Sequence, residues 1–382
     1  MYTHLTRGLL ALLTLGAVSA FAQPTSDSPL APPPNSVRRV EPGVAVGEPG
    51  RYALAGATLH PEPGRTIENA TLLIRAGRVE SILPAGGAVP PGIETRQAVS
   101  LHVYAGFIEP YLEVDAPRPD AAVPGSHWSP HVTPQRNALD GGAVAVDDRV
   151  ARSLREMGFA AAAVSPRGGV FRGSSAVVSL AEAGRDPSAG ALRVYRDRAY
   201  QSVAFETGRG MRGDDAPPDV TRWSAYPNSQ MGAIAIIRQT FADADRQSAA
   251  RRAGSFLDPP NALDPLDPGA EALYLFDTGN DLEALRAAKI AREFNRRAAI
   301  LGSGHEYKRL APIIADGLPI VLPLNYPRPP AVGTVGEQNA AELADLMHWE
   351  QAPTNPRRVD AALREAGRAF DVSLTTSKSA DR

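Results

Sequence analysis

Apolar positions come in short runs throughout the chain, and what separates them changes near residue 105. Before that point, residues 52–54, 70–74 and 79–83 are β-propensity runs broken by Gly and Pro. Arg75, Ala76, Gly77 and Arg78 lie between the second and third runs and read as a hairpin turn, with Gly77 where positive φ is needed. Beyond residue 105 strand and helix patterns alternate. Residues 147–157 are helical in pattern, ended by Gly158 and followed by the apolar run 159–164. Residues 270–276 form another apolar run that leads to Asn280 and Glu283, the two ends of a capping box. The helix so begun runs to about Phe294, with Leu282 and Leu285, then Ile290 and Phe294, at helical spacing. Residues 298–301 read as a strand, 307–315 as a helix stopped by Gly317, and 318–322 as a further strand. Asn355 and Pro356 supply a cap and a first-turn proline to a last helix that Gly367 closes, with Val359 and Leu363 on its inner face. Phe370, Val372 and Leu374 alternate in a final strand.

Repeated strand–helix units with apolar strands indicate a parallel sheet with helices outside it. An α/β fold built on a (β/α) TIM-like barrel is the expectation, and an open doubly wound sheet fits the same pattern. Residues 168–270 are irregular for a plain barrel. Residues 173–180 read as an inserted hairpin, and residues 214–219 and 258–268 as Pro/Asp loops, either a ligand-binding rim or tolerated insertions.

The first 22 residues read as a secretory signal peptide. Arg7 is the positive end, residues 8–18 are apolar and too short to span a bilayer, and Ala20, Phe21 and Ala22 form the small-x-small cleavage pattern. A secreted or periplasmic location after cleavage following Ala22 is expected. No Cys follows that site, which excludes a lipid anchor. Residues 23–50 are a Pro-rich linker. With no cysteine in the chain there is no disulfide, thiolate ligand or thiol nucleophile. The 40 basic and 42 acidic residues give a net charge of −2, so nucleic acid is not an expected partner, and no later segment reads as a membrane span. Asn69, Ala70 and Thr71 match a glycosylation acceptor triplet, a pattern common by chance.

Gly106, Phe107 and Ile108, followed by Glu109, Tyr111 and Glu113, resemble the first barrel strand of the metal-dependent amidohydrolase superfamily. In that family an Asp stands where Glu109 is, and two metal-binding histidines stand where Tyr111 and Glu113 are. Residues 66–71 and 77–79 likewise sit in the register of the family's small leading sheet. The resemblance is to the exported, imidazolonepropionase-like branch. It implies a small β-sandwich (composite) domain over residues 51–104, a barrel over 105–382, and hydrolysis of C–N bonds in amides or cyclic amides by metal-activated water. Family chains return from the barrel to complete the sandwich, whereas this sequence stops after a late strand. A distorted or incomplete, C-terminally truncated barrel is therefore expected, with a C-terminal or second amidohydrolase module as a partner.

Two side chains spaced one residue apart on a strand share a face, so Tyr111 and Glu113 project where the imidazoles would. A neutral phenol is a poor metal ligand. No catalytic, cofactor-binding or metal-ligating residue is assigned, and zinc is expected only if the site persists in altered form. His305 follows a strand and reads either as a ligand or as a helix start, with Glu306 in the first turn. Thr375, Thr376 and Ser377 place hydroxyls where the family has a carboxylate. His127 and His131 have helical metal-pair spacing, but Pro130 argues for a loop of exposed or capping histidines. His60, His102 and His348 are isolated and read as structural or solvated. Gly208, Gly210 and Gly213 satisfy G-x-G-x-x-G, yet the carboxylates and prolines that follow suit neither a helix nor a phosphate. No phosphate-loop lysine or Gly-x-Ser-x-Gly elbow occurs.

The expectation is an exported amidohydrolase-like chain, non-catalytic alone or the N-terminal part of a larger hydrolase, with a small amide or peptide as possible ligand. The alternatives are an active hydrolase using an oxygen-rich site on Glu113 and Asp115, and an exported binding or scaffold protein using the barrel mouth and the 168–270 loops.

Overall fold

A computed structural model describes residues 50–75, 78–120, 122–141, 146–181, 193–207, 226–255 and 261–378. The expected signal peptide, the linker up to residue 49, Gly77, the 208–213 glycine run and the 214–219 loop lie outside the described residues.

The chain opens with β1 (Arg51–Glu62), β2 (Arg65–Arg75), β3 (Arg78–Leu83), β4 (Glu94–Gln97) and β5 (His102–Tyr104). Strands β1 to β3 form an antiparallel meander in which Arg75 pairs with Arg78, as the turn signal requires. Strands β4 and β5 pair parallel to β1, one after the other along its free edge. Among the described residues these strands form one hydrogen-bonded sheet, and the expected two-layer sandwich is not shown. Because β1 is 12 residues long, later strands extend the one sheet to five members. Its small core is Ala57, Leu59, Ala70, Leu72 and Ala98.

The remaining elements are β6 (Phe107–Val114), α1 (Asp148–Glu156), β7 (Phe159–Pro166), β8 (Phe171–Ser174), β9 (Ala176–Ser179), β10 (Val194–Arg196), β11 (Gln201–Ala204) and α2 (Gln230–Arg252). They continue with β12 (Tyr274–Asp277), α3 (Asp281–Glu293), β13 (Ala298–Leu301), α4 (Leu310–Ala315), β14 (Ile320–Pro323), α5 (Val335–Ala340), α6 (Leu343–Gln351), α7 (Asn355–Glu365) and β15 (Val372–Thr375). A four-stranded sheet runs β10-β9-β7-β6, and a six-stranded sheet runs β15-β14-β13-β12-β11-β8. Neighbours from β11 to β15 are parallel, as expected of strands joined by helical crossovers.

Both sheets contribute to one interior. Tyr111 of β6, Ala163 of β7, Leu275 of β12, Ala299 and Leu301 of β13 and Val321 of β14 pack together with Tyr200. The opposite strand faces bury Val203, Phe276, Ile300 and Leu322 in clusters with residues of the outer helices, among them Ile237 and Phe241 of α2, Ile313 of α4, and Val359 and Leu363 of α7. The fold is mixed α/β. Among the described residues no backbone pairing closes the ring between β15 and β6, so the expected barrel is not closed by a continuous ladder.

Three local expectations are corrected. Residues 173–180 are not a hairpin: β8 pairs with β11 and β9 with β7, so the chain crosses between sheets at Ser175. The irregular stretch 168–270 contains α2, a helix of 23 residues capped by Ser229, whose Oγ accepts from Gly232 N. Asn355 does not cap its own helix. Its side chain accepts from Tyr307 N at 2.8 Å and donates to Glu306 at 2.6 Å, tying α7 to the turn after β13.

Candidate functional site

Strand alternation sends Glu109, Tyr111 and Glu113 of β6 toward the interior. Strand β8 delivers Arg172 to the same place, and Gly173 makes that delivery possible. Its φ is +111°, and a Cβ there would lie 2.5 Å from the Arg136 carbonyl oxygen. Arg136 is itself buried and donates to the carbonyls of Ala116 at 2.7 Å, Pro117 at 3.2 Å and Arg167 at 3.0 Å, pinning the loop that follows β6. Asp277 closes β12, Glu206 follows β11, and Lys378 follows β15.

These groups form one ion cluster. Arg172 Nη1 lies 2.6 Å from Tyr111 Oη, 3.0 Å from Glu113 Oε1 and 2.9 Å from Asp277 Oδ2. Its Nη2 reaches Glu206 at 3.5 Å and its Nε donates to Gly169 O at 3.3 Å. Tyr111 Oη donates to Glu113 at 2.8 Å, so it receives from the guanidinium and gives to the carboxylate. Lys378 Nζ lies 2.5 Å from Asp277 Oδ1 and donates to the carbonyls of Thr278 at 3.0 Å and Gly302 at 3.2 Å. Arg167 flanks the outside, 3.6 Å from Glu113 Oε2 and 3.4 Å from Asp115.

The charge states follow from the surroundings. Burial pushes the Tyr111 phenol well above its ordinary value despite Arg172, so it stays neutral. Burial opposes charge on Asp277, but Arg172 and Lys378 outweigh it and hold the carboxyl below the usual range. Burial also opposes the Arg172 cation, and Tyr111, Asp277, Glu113 and Glu206 together more than offset it.

Glu109, in the position of the family Asp, is fully buried. It accepts from Tyr111 N at 3.2 Å, from Thr376 N at 2.9 Å, from Thr376 Oγ1 at 2.7 Å and from Thr375 Oγ1. Ser377 Oγ donates to the Tyr111 carbonyl. The hydroxyls of Thr375, Thr376 and Ser377 therefore serve the seam between β15 and β6, joining by side chains what backbone pairing leaves open.

The histidines lie elsewhere. His305 stacks on His348 with ring centroids 3.9 Å apart, and His348 Nδ1 is 3.0 Å from Tyr307 Oη. Glu306 accepts from Ser303 N at 2.6 Å and Gly304 N at 3.2 Å, which secures the turn after β13. His127 caps a turn by accepting from Ser129 N at 3.1 Å, whereas His131 is buried, not exposed. His60 and His102 are not isolated: Nε2 of one is 2.9 Å from Nδ1 of the other, and Tyr104 stacks on His60.

Tyr111 and Glu113, expected to share a face, meet through a 2.8 Å hydrogen bond, whereas Arg172, Asp277, Glu206 and Lys378 were not singled out in the sequence. Asp277 carried a readable signal, a carboxylate at the C-terminal end of an apolar strand. Arg172 carried none in its own spacing.

A divalent metal does not fit this donor set. The carboxylates of Glu113 and Asp277 are already engaged by Arg172, Lys378 and Arg167, and the added positive charge would repel a cation. Among the described residues no three His, Cys, Asp or Glu side chains are grouped as metal ligands.

The strand order describes an α/β fold that has a counterpart among solved structures. Fourteen chains of solved structures match this one. An amidohydrolase from Thermotoga maritima MSB8 superposes with a TM-score of 0.54 at 16% identity, over 85% of this chain and 78% of that one. A prolidase complexed with N-methylphosphonate-L-proline matches at TM-score 0.40 and 16% identity, over 85% and 77% of the two chains. A Xaa-Pro dipeptidase with bound methionine in its active site matches at 0.34 and 10%, over 85% and 79%. The last two scores are too low to build on. No family model matches the chain, and no curated protein does. The resemblance read from residues 106–113 is thus met at the level of the fold.

Proposed function

We propose that this is an exported protein of the imidazolonepropionase-like amidohydrolase branch, built on a TIM-like barrel, that does not perform metal-dependent C–N hydrolysis by itself. It acts as a non-catalytic member or beside a second amidohydrolase module that supplies the chemistry. One observation carries the reading: the oxygens of Tyr111, Glu113 and Asp277 are spent on Arg172 and Lys378. Metal-activated water needs an ion with an open coordination position, held by ligands that are free to bind it. Here Tyr111 is neutral and buried, and Glu113 shares one oxygen between a phenol and a guanidinium. The oxygen-rich alternative on Glu113 and Asp115 is disfavoured by Arg167, which faces both carboxylates. Export rests on the sequence pattern of residues 1–22.

The test is elemental analysis of protein purified from metal-replete medium, paired with hydrolysis assays on dipeptides and cyclic amides with zinc or manganese added. Substoichiometric metal and no turnover are expected. One zinc or manganese ion per chain together with turnover would overturn the proposal.

A further inference from the structure

The strand ends opposite the ion cluster hold a separate cavity. Its volume is about 270 Å³, and it lies between the loop that leads into β12 and the turn that joins α3 to β13. Tyr274, the first residue of β12, lines it, and Tyr274 N donates to Arg297 O at 2.9 Å where β12 and β13 begin to pair. Asp277 closes the other end of that strand, about 10 Å further along. The lining carries both signs of charge: Arg296 and Arg297 come from the turn, Asp267 and Glu271 from the loop. Arg296 is held in place. It is 7% exposed, its guanidinium lies 5.2 Å from the ring centroid of Phe241 and 5.9 Å from that of Tyr274, and its Nη2 pairs with Asp245. Its Nε is buried and has no acceptor among the described residues. A buried N–H on a cation is costly to leave unpaired, so this one marks a place for an oxygen. Asp267 Oδ1 accepts from Gly269 N at 2.8 Å and from Ser248 Oγ at 3.0 Å. The Gly269 bond above all holds that carboxyl below its usual range, so it is charged. Arg297 and Glu271 are exposed, and neither makes an ion pair among the described residues. Glu271 also takes a φ of +48°, uncommon for its type, and such residues gather at ligand sites.

A simple anion in this cavity would meet Asp267 and Glu271, and a simple cation would meet Arg296 and Arg297. A small molecule that carries both charges meets a partner for each. We propose that the cavity binds a free α-amino acid with an apolar side chain, its carboxylate on Arg296 and Arg297 and its ammonium on Asp267 and Glu271. Guanidinium N–H groups match a carboxylate in geometry as well as charge, and the Asn295 amide, also in the lining, is a further donor. The Tyr274 ring, Pro268 and Ala272 supply the apolar wall for the side chain. Because Arg296 is already fixed by its rings and by Asp245, little freedom is lost when it takes up the carboxylate. The volume falls just below the range of about 300–1,000 Å³ that suits drug-sized ligands, which fits a single residue. The site shares no residue with the cluster around Arg172, so it stands apart from the proposed function and adds a ligand to it.

The experiment titrates the full chain with alanine, valine, leucine and phenylalanine, following melting temperature and binding heat. The tightest binder is then compared with the same carbon skeleton lacking the amine and with that lacking the carboxylate. At least one amino acid should raise the melting temperature saturably. Each single-charge analogue should bind about tenfold more weakly or worse, since either half of the charge pairing is lost. Two variants locate the site. Arg297→Ala removes an exposed cation, and Glu271→Gly removes the carboxylate while suiting the left-handed backbone, so both should melt with the wild type when no ligand is present. Each should lose about tenfold or more in affinity for the amino acid. Three results would overturn the inference: no saturable response to any of the amino acids, a single-charge analogue that binds as tightly as its parent, or undiminished binding in both variants. All three leave the metal and turnover measurements of the proposed function untouched, and bound metal with turnover would leave this site standing.

Discussion

Glu109 shows how much one side chain can hold. Its two oxygens, on a fully buried side chain, satisfy four donors, so deletion strands those donors. Glu109→Ala should lower the unfolding free energy by about 3 kcal/mol, since each buried unpaired group costs roughly 1–3 kcal/mol. Glu109→Gln should lose markedly less, because its carbonyl oxygen still accepts. Urea denaturation of the three proteins measures both values, and equal loss in the two variants would refute this account of the seam. The residue was legible only as a substitution. The motif around Gly106 announced that an acid belonged there, but the partners at Thr375 and Thr376 lie more than 260 positions away in sequence, beyond what local pattern conveys.

At the scale of elements, local chemistry was readable wherever a cap or stop was present. Asn280 accepts from Glu283 N at 3.0 Å as foreseen, although Glu283 reaches back to Gly279 N at 2.6 Å and to the Asn280 side-chain amide at 3.0 Å, not to the cap's backbone N–H. Gly158, Gly317 and Gly367 take positive φ at the helix ends where they were expected. Helix α2 was missed for a physical reason. Its inner face includes Ala233, Thr240, Ala244 and Ser248 beside Ile236, Ile237 and Phe241, so small and hydroxylic residues dilute the apolar period. That face nonetheless anchors the core. Phe241 is fully buried and meets Phe171 and Tyr274 edge-on, with centroids 5.2 Å from each. Phe241→Ala should cost about 3–5 kcal/mol, the range for buried aromatic truncation. Chemical denaturation with an unchanged m-value would verify it, and a loss below about 1 kcal/mol would contradict the packing described.

For the whole molecule, the strand–helix rhythm was legible because parallel strands buried on both faces must be apolar and must be joined by helices. The cluster at the strand ends was not, because its members come from five separate places and none repeats a spacing. Its electrostatics have a global consequence. Asp277 has a lowered folded value, so its contribution is complete above the unfolded carboxyl value of about 3.9 and disappears as pH falls through the folded value. Urea midpoints should therefore drop below about pH 4 in the wild type. Asp277→Asn should start lower at neutral pH and show a shallower drop in that window; parallel curves would rule out this role for the carboxylate.

A positive charge written into the polypeptide cannot be chelated, exchanged or withheld by a poor medium. Arg172 and Lys378 belong to the chain itself, so the cations that meet Glu113, Glu206 and Asp277 are present from translation onward.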